Sequence, residues 1–239
     1  QVMGHPFTTP SPDGKTVYVS IGSPELREAP FKGAGIAKVD METGFVTNIM
    51  GVGNHPIGIT HDVDGRYTYV IDGSNSLVYK IDNDTNEVVG HTSAGVAGPY
   101  GLAMNWDESL IFTVGKGEGT HNVGSVVGVV NVKPFTSYTG LRQQPIFMGG
   151  SASSLDHAIL HPDPEVNEIW VSNMKGWETI VLDLDTFKPS DWIKTPNGGD
   201  THSGGFVRYA SDFTGELLVD QGGVKSESIR ELIRQAKAA

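Results

Sequence analysis

A segment of roughly 45 to 55 residues recurs along this chain four times and then half again, and a period of that length dictates a repeat architecture. Thr9-Pro-Ser-Pro-Asp-Gly-Lys-Thr-Val-Tyr-Val-Ser20 parallels Thr60-His-Asp-Val-Asp-Gly-Arg-Tyr-Thr-Tyr-Val-Ile71, and Asn105–Val114 and His161–Ser172 continue the series. Each unit has an apolar strand, an Asp/Gly/Asn/Pro turn, and a β-branched and aromatic strand. A third strand follows, such as Leu77-Val-Tyr-Lys-Ile-Asp82, then a polar turn and a fourth strand such as Glu87-Val-Val-Gly90. Four antiparallel strands per unit make one propeller blade. The expectation is an all-β chain of about four and a half blades, with a β-propeller at 1–222 and a short amphipathic helix at 223–239. The blades span about 5–52, 53–96, 97–151 and 152–199, with a partial one at 200–222. Ser228-Ile-Arg-Glu231 reads as the helix's capping box.

The fifth unit offers two strands, which leaves a sheet edge that propellers normally close by pairing both chain ends. The expectation is a seven- or eight-bladed ring whose missing strands come from an N-terminal segment or a partner chain. With a net charge of −11, the chain is a poor match for nucleic acid or an anionic membrane. It has no apolar stretch of membrane-spanning length. It has no cysteine, which removes disulfides, thiolate metal sites and a cysteine nucleophile, and leaves imidazole, carboxylate and amine groups as ligands.

Ser11-Pro-Asp-Gly-Lys-Thr-Val-Tyr-Val-Ser20 and His55-Pro-Ile-Gly-Ile-Thr60 resemble the YVTN-repeat β-propellers. Glu168-Ile-Trp-Val-Ser172, Ile180–Lys188 and Thr195-Pro-Asn-Gly198 are similar to closing segments of the haem-bearing propeller of cytochrome-type nitrite reductases. The resemblance implies kinship with the copper propellers of nitrous oxide reductase and thiocyanate dehydrogenase, where histidines project from the blades. It leaves copper, haem or no cofactor as the alternatives, and a chain beginning at Gln1 is expected to be a mature periplasmic or secreted protein.

The histidines sort by position in the repeat. His5, His55, His157 and His202 fall at or just before a first strand, at the mouth of the axis, and are the expected metal ligands. Nitrogen ligands converging from several blades suit copper, zinc or iron. His121, between second and third strands, is expected on the same face as a fifth ligand or proton relay. Glu25, Lys32 and Lys116 would orient an anionic substrate. His91 could reach that face, while His61 and His161 belong to first-to-second turns on the opposite one. The functional expectation is redox chemistry on a small inorganic or nitrogen- or sulfur-containing substrate with a separate electron-transfer partner. The alternative is a non-catalytic scaffold for a protein or small ligand, or a subunit of a larger redox complex. Asp82-Asn-Asp-Thr-Asn-Glu87 begins like a calcium loop but lacks the glycine and distant glutamate of an EF-hand.

Overall fold

The computed structural model describes residues 7–22, 34–117, 124–137, 145–202 and 204–238. The first blade is β1 (Thr8–Pro10), β2 (Thr16–Ile21), β3 (Gly35–Asp40) and β4 (Val46–Gly51), paired in that order. The second is β5 (Pro56–His61), β6 (Tyr67–Asp72), β7 (Leu77–Asp82) and β8 (Glu87–Ser93). The third is β9 (Pro99–Met104), β10 (Leu110–Gly115) and β11 (Val126–Asn131), with its outer strand in two pieces, β12 (Thr136–Ser137) and β13 (Ile146–Phe147), both paired to β11. The fourth is β14 (Leu155–Leu160), β15 (Glu168–Asn173), β16 (Glu178–Asp183) and β17 (Lys188–Lys194). A hairpin of β18 (Gly205–Tyr209) and β19 (Gly215–Asp220) follows, then α1 (Glu227–Ala238). The chain is an all-β propeller of four-stranded antiparallel blades with a C-terminal helix.

First strands pack on first strands: β5 against β9, and β9 against β14. Covered on both faces, β5 and β9 are buried at every residue, whereas β8 and β17 are mostly exposed at the rim. A register shift recurs at the same place in β5, β9 and β14, where Pro56, Pro99 and Leu155 pair with Asp72, Gly115 and Asn173. The turn opening at Asp82 is closed by its own polar groups. Its carboxylate accepts the amides of Asp84 and Thr85, and Arg66 bridges Asp82 and Asp84.

The helix cap lies two residues earlier than the sequence suggests. Ser226 Oγ accepts the Ile229 amide at 3.4 Å, and the Ser228 hydroxyl bonds to Ser226 instead. Ile229 and Ile233 enter the main core beside Val63, Trp106 and Val219. Arg234 reaches Asp64 and Lys237 reaches Glu108, so α1 sits over the first-to-second turns of the second and third blades. Among the described residues, no helix is long and apolar enough to cross a membrane.

Candidate functional site

The site forms at the ends of the strands opposite α1. β9 and β14 lie so close there that a Cβ on Gly101 would stand 2.5 Å from the Asp156 carbonyl oxygen and 2.7 Å from His157 Cα. Glycine is what the approach requires. It sets Tyr100 of β9 beside Asp156 and His157 of β14, with Lys116 just beyond the end of β10.

The Asp156 side chain has no exposed surface. Lys116 Nζ lies 2.6 Å from its Oδ1, and His157 Nδ1 lies 2.5 Å from its Oδ2. His202, in the connection from β17 to β18, brings its Nδ1 to 3.4 Å from the same Oδ2. Burial pushes the Asp156 carboxyl up. The hydrogen bond from His157 and the Lys116 ion pair outweigh it and hold the group below the usual carboxylate range. With Asp156 ionised, Nδ1 of His157 carries the hydrogen and donates to it, and also to the His202 carbonyl at 2.9 Å. Phe7 stacks on the His157 ring at 5.6 Å and Tyr100 meets it edge-on at 5.3 Å. Lys116 also sits 3.7 Å from the centre of the Tyr100 ring. The donor atoms of Asp156, His157 and His202 all lie within 4.8 Å of one another.

Of the expected ligands, the structure therefore brings together His157 and His202. His55 is not in that group: the four positions correspond only to within about two residues, and His55 stands two residues earlier in its blade than His157. Pro56 aligns with Leu155, so His55 precedes its strand in the place of Ser154, while His157 sits within β14 in the place of Gly58. The backbone of His55 is held by Asp72 Oδ1, which accepts its amide at 3.1 Å. His5, Glu25, Lys32 and His121 lie outside the described residues.

His91 is inside β8, with its ring 5.5 Å from Tyr79. His61 closes β5 and is buried, its Nδ1 2.9 Å from Thr68 Oγ1 and its ring edge-on to Tyr18. Burial lowers its pKa to about 3, assisted by the charges of Lys225 and Lys38. Asp156 was not expected at all. The signal available was a carboxylate at the position where the equivalent first strands carry Ile57 and Tyr100.

A cleft of about 510 Å³ opens beside the cluster. His157, Ser172 and Thr201 line it together with Trp170, Phe206 and Tyr209. It lies between β14–β16 and the β18–β19 hairpin, whose Phe206 touches Trp170.

No family model and no curated protein sequence matches this chain. Its fold is similar to that of Kuenenia stuttgartiensis hydrazine synthase, with a TM-score of 0.63 at 18% identity over 87% of this chain and 53% of that one. It is also similar to the dihydro-heme d1 dehydrogenase NirN, with a TM-score of 0.57 at 11% identity over 84% of this chain and 39% of that one. The WD40 repeats of RRP9 align with a TM-score of 0.59 at 12% identity over 83% of this chain and 54% of that one. The chain thus spans about half or less of each. At these identities the likeness establishes the propeller fold, which redox enzymes and WD40 scaffolds share, and leaves activity to the site.

Proposed function

We propose that this propeller holds a transition-metal ion at the mouth of its axis through His157, His202 and Asp156, and acts there on a small ligand. One observation carries the reading: two imidazoles and a wholly buried carboxylate, from β14 and the connection that follows its blade, converge within 4.8 Å. The donor set fits, since imidazole and carboxylate together suit copper, zinc and iron. Ligand atoms on one ion stand about 3 Å apart. The pair His157–Asp156, at 2.5 Å, has to open slightly, whereas His202 at 3.4 Å is already spaced for it.

Copper is our first candidate, following the resemblance to the copper propellers of the YVTN class, with haem as the alternative cofactor. It would supply one-electron chemistry toward a small nitrogen- or sulfur-containing substrate, with electrons exchanged with a separate protein in a periplasmic or secreted setting. The chain's own residues do the positioning. Without the ion Asp156 accepts the Nδ1 hydrogen of His157, and binding at that nitrogen would release the hydrogen. Lys116 offsets the charge of Asp156, and Phe7 and Tyr100 keep water from the His157 ring. His5 and His121 stay as candidate further ligands, and Glu25 and Lys32 as candidate substrate-orienting charges.

The proximity of Lys116 to Asp156 favours a second reading, in which no ion binds and Asp156–His157 is a proton-handling pair serving the ligand. Calorimetric titration of chelator-stripped protein with Cu(II) separates them. The metal reading expects one equivalent bound, at least tenfold weaker in His157→Ala, His202→Ala and Asp156→Asn and unchanged in His55→Ala. No uptake, or uptake indifferent to the first three changes, leaves the proton-handling reading.

A further inference from the structure

The cleft beside the cluster has an uneven hydrogen-bond capacity that specifies what it takes. At its inner end the side-chain protons of Ser172, Thr201 and Trp170 are spent. Ser172 Oγ turns its hydrogen toward the backbone oxygens of His202 and His157, at 3.3 and 3.4 Å, while accepting the His157 amide at 2.9 Å. Thr201 Oγ1 donates to the Glu178 carbonyl at 2.7 Å and accepts the Asn173 amide. The Trp170 indole N–H donates to Glu168 Oε2 at 3.0 Å. His157 turns its Nδ1 to Asp156 and the His202 carbonyl, away from these hydroxyls' remaining capacity. What remains there on Ser172 and Thr201 is acceptor capacity, one further lone pair on each hydroxyl.

The outer part is aromatic. The Phe206 ring meets Trp170 at 5.1 Å and His161 at 5.0 Å, inclined at 70° and 72°, which makes a corner of rings with Tyr209 beyond it. Ring faces attract cations, and the chain's charge of −11 works in the same direction. We infer that this cleft, lined by Trp170, Phe206, Tyr209, Ser172, Thr201 and His157, binds an organic cation bearing N–H groups, of the amidinium or arylalkylammonium class. Its nitrogen end faces the acceptors and its carbon frame lies among the rings. The volume of about 510 Å³ admits a drug-sized molecule.

The inference does not depend on a metal, so the probe is tested on chelator-treated protein. Benzamidine, benzoate and benzyl alcohol are titrated calorimetrically. Benzamidine is expected to bind measurably, with benzoate and benzyl alcohol at least tenfold weaker. Phe206→Ala and Tyr209→Ala, the second at a site exposed enough to spare the fold, are each expected to weaken benzamidine at least fivefold. Benzoate or benzyl alcohol binding as well as benzamidine, absence of binding, or affinity unchanged in a folded variant overturns it. Failure of the metal reading shows in the Cu(II) titration and leaves this outcome untouched.

Discussion

Asp156 and His61 show how differently two buried titratable side chains behave in one propeller. Asp156 sits among cations and imidazoles that favour its ionised form, so its folded pKa is lowered. The stability it contributes is present above its unfolded pKa and is lost as pH falls through the lower folded value. His61 is buried with its Nδ1 hydrogen given to Thr68, whose own hydrogen goes to Asn83. Its folded pKa of about 3 stands against an ordinary 6.5. The unfolded chain takes up that proton first, so stability is full above pH 6.5 and declines as pH falls toward 3, by at most about 1.4 kcal/mol per pH unit from this group. Asp62, whose carboxyl burial pushes up, works in the opposite sense, so the difference between proteins is the readout. Urea midpoints at pH 7.5 and 4.5 are predicted to fall further apart in the wild type than in His61→Gln; equal spacing would refute it. At this scale the sequence was partly legible. The pairing of His157 with His202 followed from both lying near a strand start. The separation of His55 did not, because a two-residue offset within the repeat turns on where each strand begins, which the residue pattern marks only loosely.

Strand and blade identity was the most legible level, since alternating Val, Ile and Tyr positions and Asp-Gly turns report directly on pleat and hairpin. The fourth strands and the helix cap were less so: β8 runs three residues beyond the expected end at Gly90, and two serines compete for the cap. Packing between elements left almost no trace. Gly101 reads as an ordinary strand glycine, yet the approach of β9 to the backbone at Asp156 depends on it. Gly101→Ala is predicted to fold with lowered stability and to displace Asp156 and His157, weakening ligand and metal binding at least tenfold while leaving α1 docked. Titrations paired with circular dichroism check it, and wild-type affinity would contradict it. On the opposite face, Ile233 has no exposed surface in the core. Ile233→Ala is predicted to cost about 3 kcal/mol in chemical denaturation, the price of a buried cavity, without altering affinity at the other end of the blades.

For the molecule as a whole, the two ends of the blade strands carry separate tasks. One end is closed by α1 and its ion pairs with Asp64 and Glu108. The other gathers Phe7, Tyr100, Lys116, Asp156, His157 and His202 from three blades and an inter-blade connection. A repeat architecture makes such gathering possible, because equivalent strand starts meet around one axis while each blade is free to vary the side chain placed there. The repeat is therefore visible in sequence, and the site is not: it is made of departures from the repeat. The central claim, that these departures build a metal site, is tested most directly by anomalous diffraction from crystals soaked in Cu(II). The account predicts one strong peak within bonding distance of an imidazole nitrogen of both His157 and His202 and of an Asp156 carboxylate oxygen. A map with no peak there, or with its strongest peak at His55 or on the surface, would contradict it.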